Sequence, residues 1–271
     1  MQRTLTTTTM THYPKAAKYP DLVHIYSQCS GPGALRAAEF VADKIALSPA
    51  MTLLDIGIFR GIQTCFLAKE FGCDVIAIDP WLDNFDPEGD GKPYVDHLRR
   101  NARDWGVEDA VTGIQAGVPH VPFRDNAFDA AYSTTALEMI RGFEGNDAYI
   151  KALESILRVL KPGAMFGMAE PMHQGFPPPA DLAPLVSKGE LSFDKFVVSP
   201  EETVECFLQA GFEVCEAGHV EDALDWWVEF SQYDWECRRN PEGDRHMIEV
   251  DAGRWLSVGY VIARKPTATV T

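Results

Sequence analysis

Four residues early in the chain, Asp55, Gly57, Gly61 and Asp79, combine bare backbone with fixed negative charge. Glycine lets the main chain turn sharply and approach a ligand with no Cβ in the way. A carboxylate at the carboxyl end of a strand, eighteen residues past Gly61, stands where a nucleoside or dinucleotide ribose is held through its hydroxyls. The chemistry these residues point to is recognition of an adenosine-containing cofactor.

The elements that must position them are read from the same stretch. Residues 51–56 are short, mostly apolar and bounded by a proline-containing turn and a glycine, which suits a strand buried on both faces of a parallel sheet. In residues 62–71, Ile62, Cys65 and Phe66 fall at helical spacing, and Leu67 and Ala68 widen the apolar face. The spacing predicts a crossover helix whose free amide groups face the turn and favour a negatively charged ligand group. Gly72 stops that helix, and residues 74–78 form the next strand, which delivers Asp79 to its carboxyl end.

The turn itself separates two cofactor chemistries. An NAD-type fingerprint needs G-x-G-x-x-G, whereas here the spacing is Gly57-x-x-x-Gly61 with Asp55 two residues before the first glycine. This D-x-G-x-x-x-G run, followed by a strand ending V-I-A-I-D, resembles the class I S-adenosylmethionine-dependent methyltransferases. Their first motif is usually D-x-G-x-G-x-G, and Phe59 stands in place of its middle glycine. The segment VPHVPFRDNAFDAAY, residues 118–132, resembles the family's tight turn before the fourth strand. ILRVLKPGAMF, residues 156–166, is similar to its helix-ending turn before the fifth.

The resemblance spans residues 53–171 and implies an α/β fold: a Rossmann-like doubly wound sheet, mostly parallel with an antiparallel last strand. It also implies S-adenosyl-L-methionine as cofactor. On that reading Asp55, Gly57 and Gly61 shape the turn beside the methionine moiety, and Arg60 is a candidate partner for its carboxylate. Asp79 takes the ribose hydroxyls, and Trp81 is placed to lie against the adenine. Many relatives use an acid after the third strand for the adenine amino group. That place falls here on Gly117, so backbone groups of Gly117 and Val118 take the role.

Methyl transfer asks the protein mainly for alignment of acceptor and methyl group, with a base only where the acceptor must lose a proton. Ligands sit at the carboxyl edge of open α/β sheets, so residues after the fourth and fifth strands face the acceptor. The candidates are Thr134, Thr135 and Glu138 after the fourth, and Glu170, Met172 and His173 after the fifth. Glu138 or Glu170 would hold a cationic or hydroxyl-bearing acceptor, and His173 has a pKa suited to proton removal.

Beyond the core strands, residues 1–18 are polar and expected to be flexible, with Tyr13 and Tyr19 as aromatic residues that could cover a ligand. Residues 19–50 read as an N-terminal helical cap, two helices broken at Ser30-Gly-Pro-Gly, from which Tyr26, Ser27 and Cys29 would roof the pocket. The methyltransferase domain covers 51–265, with a short tail at 266–271. Its strands are expected at 53–56, 75–78, 111–115, 130–133, 164–169, 213–217 and 257–263, with helices at 94–105, 149–160 and 200–210. Two lid-like insertions, 172–198 and 221–254, exceed what the bare fold needs. The second carries Trp226, Trp227, Phe230, Tyr233 and Trp235 on one expected helix, with Trp226 and Trp227 as substrate-binding candidates.

Composition narrows the partners. A formal net charge of −16, without a run of basic residues, opposes a nucleic-acid substrate and gives no signal for an anionic membrane surface. The six cysteines form no C-x-x-C pair and have no histidines at zinc spacing, so they read as reduced and buried, with no metal expected. No signal peptide and no membrane span is visible, which points to the cytoplasm. The expected activity is S-adenosylmethionine-dependent methylation of a small molecule in a lidded pocket, the acceptor atom (O, N, S or C) remaining open. The alternatives are a cofactor-binding protein without transferase activity and an NAD-linked oxidoreductase.

Overall fold

The computed structural model describes residues 12–84, 89–188 and 192–267, so the opening of the flexible segment and the end of the tail lie outside the described residues. A 3₁₀ turn, Ala16–Lys18, leads into α1 (Leu22–Gln28) and α2 (Ala34–Lys44). The sheet domain follows as β1 (Thr52–Ile56), α3 (Ile62–Phe71), β2 (Asp74–Ile78), α4 (Tyr94–Trp105) and β3 (Val111–Ile114). After it come β4 (Phe128–Thr134), α5 (Leu137–Glu144), α6 (Asn146–Val159) and β5 (Leu160–His173). The first insertion holds the one-turn helices α7 (Ala183–Val186) and α8 (Phe193–Phe196), and α9 (Pro200–Gln209) and β6 (Glu213–His219) continue the core. The second insertion holds α10 (Ala223–Tyr233), α11 (Trp235–Arg239) and α12 (His246–Asp251), ahead of the last strand β7 (Leu256–Arg264).

The seven strands lie in the order β3-β2-β1-β4-β5-β7-β6, and β7 runs antiparallel to both of its neighbours. Alternate residues of the central strands feed two cores, as a sheet covered on both faces requires. Leu53, Val75, Ala77, Ala130 and Tyr132 pack with α2, α3, α4 and α10, while Leu54, Ile78 and Ala131 pack with α6 and α9. The helix after β1 therefore lies on one face and the helices after β4 on the other. Strand order reverses between these two neighbours, and a crevice opens there at their carboxyl ends.

The expected strands and helices are present, α3 and α4 with the expected ends and most others with shifted ones, and α5 is an addition. The second insertion departs further. Its aromatic run is not one helix, because Asp234 ends α10 in extended backbone and caps α11 by accepting the N–H groups of Glu236 at 2.9 Å and Cys237 at 3.3 Å. The N-terminal segment is also anchored from Tyr13 onward. Tyr13 is buried edge-on against Trp226, and the Glu39 carboxylate accepts the N–H groups of Lys15 and Ala16. Tyr19 stacks on Trp105 and donates to Glu70, so neither tyrosine covers a ligand site. Among the described residues no helix is long and apolar enough to cross a membrane.

Candidate active site

The bend after β1 is held by its neighbours on both sides. Gly57 has φ +75°, and a Cβ there would fall 2.2 Å from the Ala136 Cβ in the turn after β4. Gly61 has φ +83° and opens α3, where a Cβ would fall 2.5 Å from the Leu98 side chain. Gly57 faces the crevice, whereas Gly61 lets α3 and α4 approach one another. Between them Phe59 adopts φ +51°, the left-handed backbone that a glycine takes without steric cost. Its ring rests on Tyr94, with centroids 4.8 Å apart.

Asp79 closes β2 and ties this bend to the next turn. One carboxylate oxygen accepts the Phe59 N–H at 3.1 Å, and the other accepts the Trp81 N–H at 2.9 Å. Burial pushes the Asp79 carboxyl up to about 6, against the lowering effect of these amides. Asp55 lies beneath the bend and outside the crevice, accepting the Thr64 hydroxyl at 2.7 Å. Burial pushes it up to about 7, the Thr64 bond opposing and the Asp79 charge adding to the rise.

The crevice widens into a cavity of about 330 Å³. Gly57, Phe59, Asp79, Trp81, Gly117 and Val118 line it. The lining also includes Thr134 at the end of β4, Glu138 and Phe143 on α5, and Phe230, Asp234 and Trp235 from the second insertion. Trp81 stands at the edge, 37% exposed. Thr134 is tied into the wall, donating to Gln63 at 3.0 Å and pairing with the Tyr132 hydroxyl.

Glu138 and Glu170 form a buried acid pair. The Glu138 backbone N–H donates to Glu170 at 3.1 Å, and Arg141 approaches Glu170 at 3.5 Å with its guanidinium 3.7 Å above the Tyr149 ring. Burial raises both carboxyls; the Glu170 charge raises Glu138 further, and Arg141 opposes the rise at Glu170. Only Glu138 lines the cavity, and its side chain shares a hydrogen bond with Glu170. Glu170 stands behind it as support.

Several expected site residues lie elsewhere. Arg60 faces away from the cavity: its guanidinium grips Asp83 through both Nε and Nη2 at 2.9–3.1 Å and donates to the Ser27 carbonyl at 2.8 Å. It lines a separate hollow with Asp90 and His97, so it is committed to an internal ion pair and not to a ligand carboxylate. His173 stacks on Trp255 and accepts the Gly175 N–H on Nδ1, outside the cavity lining. Strand β5 carries it past the crevice. Met172, also named after the fifth strand, is fully buried beneath Gly259.

Of the cap residues expected at the roof, Cys29 lines the cavity and Tyr26 and Ser27 do not, while the insertion reaches it through residues other than the two tryptophans named for it. Tyr26 is fully buried and donates to Glu229 at 2.9 Å. Trp226 packs on Gly33 and Phe40, and Trp227 on Phe193 and Phe230, so both tryptophans dock the insertion instead of lining the pocket. The neighbouring Cys29, Ser30, Phe230, Asp234 and Trp235 do the lining. A sequence signal for the last two existed in the Asp234 cap, which breaks the aromatic run and turns Trp235 away from the α10 axis.

Residues 54–168 match the protein family described as Methyltransferase domain. These residues form a methyltransferase domain. The methyltransferase domain contains the bend, Asp79 and the acid pair's cavity-facing member, whereas the cap and both insertions lie outside its matched span. Across 135 residues the chain is 28% identical to sterol 24-C-methyltransferase of Yarrowia lipolytica, covering 50% of this chain and 31% of that one. Over 153 residues it is 24% identical to glycine/sarcosine/dimethylglycine N-methyltransferase of Actinopolyspora halophila, covering 56% and 24%. The chain thus spans under a third of the length of these curated relatives. In fold it resembles the [4+2]-cyclase SpnF, with a TM-score of 0.70 at 20% identity over 96% of both chains.

Proposed function

We propose that the chain binds S-adenosylmethionine and transfers its methyl group to a small molecule enclosed in the cavity. The observation that carries this reading is Asp79: a buried carboxylate, open to the cavity, whose two oxygens are already oriented by backbone amides from the bend and from the Trp81 turn. Such a group gains from hydroxyl donors, because burial disfavours its charge unless hydrogen bonds compensate. Ribose hydroxyls supply them.

The other cofactor contacts follow from the lining. Trp81 offers a ring at the adenine end, and Gly117 sits close under Pro80, where an added Cβ would fall 2.9 Å from the proline ring. With Arg60 committed elsewhere, the amino-acid tail falls to the bend's backbone and to the polar side chains of Ser30 and Gln63. When bound, the sulfonium supplies an electrophilic methyl carbon. The protein's part is to align the acceptor, exclude water through Phe230 and Trp235, and present the Glu138 carboxyl to the acceptor. Small-molecule acceptors suit a cavity roofed by both the cap and the insertion, and the cytoplasm is the proposed location.

A reading without methyl transfer has one specific observation behind it: the SpnF fold match covers nearly the whole chain, cap and insertions included, and that protein is a cyclase. Fold does not determine chemistry. Calorimetry with S-adenosylmethionine decides the cofactor, since Asp79→Ala should abolish measurable binding and unchanged affinity would refute the assignment. Incubation with labelled cofactor and a metabolite extract then separates a transferase, which yields methylated product, from a binder that yields none.

A further inference from the structure

The bend after β1 and the turn after β2 are joined twice. The inner joint is Asp79, which lines the cavity and accepts N–H groups from Phe59 in the bend and Trp81 in the turn. The outer joint lies just beyond it. Arg60 follows Phe59, and its guanidinium grips Asp83, two residues past Trp81, through Nε and Nη2 at 2.9–3.1 Å. Neither residue lines the cavity, and both are buried. The same guanidinium donates to the Ser27 carbonyl in α1 at 2.8 Å. Asn101 on α4 donates to the Arg60 carbonyl at 2.7 Å and to the Gln28 side chain at 3.1 Å, so the cap's first helix is fastened to the bend at two points.

Resting on the methyltransferase reading, we propose that Arg60 is a positioning residue for cofactor binding. Its fork on Asp83 holds bend and turn at the spacing that lets Asp79 meet both amides, and its bond to Ser27 passes that setting to the cap. Stability alone is a poor account of the pair. Two buried charges lose their hydration, and such a pair typically contributes no more than apolar side chains of the same volume would. What it supplies is direction, because a guanidinium holds a carboxylate in one plane through two bonds, which an ammonium cannot do. The bend needs direction. Phe59 sits at φ +51°, outside the backbone region its side chain favours, and Gly57 and Gly61 on either side impose little of their own. With Arg60 restrained, the cofactor meets an aligned bend and does not have to select it from several conformations.

Calorimetry with S-adenosylhomocysteine, urea unfolding and hydrogen exchange on the full-length protein test this together. Arg60→Lys keeps a counter-charge for Asp83 but loses the fork, and should weaken S-adenosylhomocysteine binding by about five-fold or more. Arg60→Met combined with Asp83→Leu removes both charges and keeps apolar volume, so its urea midpoint should stay close to that of wild type while its affinity falls by the same factor or more. A pair with a structural role alone would move the midpoint and leave the affinity of the folded protein unchanged. In the wild-type protein, S-adenosylhomocysteine should slow amide exchange in α1, none of whose residues lines the cavity, as well as in the bend. Either folded variant binding within about two-fold of wild type overturns the proposal, and so does exchange that slows in the bend but not in α1. Should neither variant fold, the exchange result decides. Failure of S-adenosylhomocysteine to bind the wild-type protein would instead remove the methyltransferase reading on which the proposal rests.

Discussion

Asp79 accepts the backbone N–H of Phe59 at 3.1 Å, so the acid that closes one strand also fixes the bend that closes its neighbour. The two features read separately from the sequence are mechanically one.

That coupling makes charge at position 79 the first thing to alter. Asp79→Asn keeps the shape but turns one acceptor into a donor facing a backbone N–H, and removes the charge from any bonds to ribose hydroxyls. The loss of charge-assisted bonds is on the order of 1.5–3 kcal/mol, or about ten- to a hundred-fold weaker S-adenosylhomocysteine binding by calorimetry.

Phe59 stands where the family usually has glycine, at φ +51°. Phe59→Gly should hold cofactor affinity within about three-fold, since glycine adopts that backbone freely. Phe59→Val should cost about 1–2 kcal/mol in stability, because a β-branched residue is poorly tolerated there. Chemical denaturation of the two variants, with a binding isotherm for each, separates the effects.

Asp55 gives a pH signature. Its native carboxyl is pushed up to about 7 by burial, far above the value it has in the unfolded chain. In the interval between, the native state holds a proton that the unfolded state has lost, so stability falls as pH rises. The contribution is complete below about pH 4 and gone once pH passes the native value. Asp55→Asn cannot titrate, so wild type should lose stability relative to this variant between pH 5.5 and 8 in urea unfolding. A constant difference across that range would contradict the reading.

Glu229 accepts the Tyr26 hydroxyl at 2.9 Å and pairs with Arg36 at 2.8 Å, all three largely buried. Glu229→Ala leaves a buried guanidinium without its counter-charge, which costs about 3 kcal/mol or more. Equilibrium denaturation should show the loss, and Glu229→Gln should recover part of it by keeping the tyrosine bond.

His173 lies on the wrong side of the strand end to serve the cavity. His173→Gln should leave turnover of whatever acceptor is found within about two-fold, as a steady-state assay would show. A large fall in turnover with unchanged folding would return it to the site.

The parts legible in the sequence were those built from local pattern. The strand, bend, helix and second strand around Asp79 follow from short-range periodicity and two glycines, and α4 appears with the expected ends at Tyr94 and Trp105. Strand β5 runs past its expected end because Pro171, which has no N–H to offer, lies beyond the last residue paired with β4 and has only β7 beside it. The site residues that were misplaced depend on distant partners. Nothing near Arg60 in sequence announces Asp83 as its mate, and a helix with aromatics around much of its circumference does not reveal which of them meet the core. Helix α10 buries Trp226 and Trp227 and leaves the cavity to Phe230 and, beyond its end, Trp235.

The Tyr26–Glu229–Arg36 knot joins the segment before the sheet to the one inserted ahead of its last strand. Anyone wishing to change what this protein accepts by swapping in foreign parts must therefore transplant both pieces together. A chimera that exchanged only one would sever the knot and inherit a roof that no longer sits on its walls.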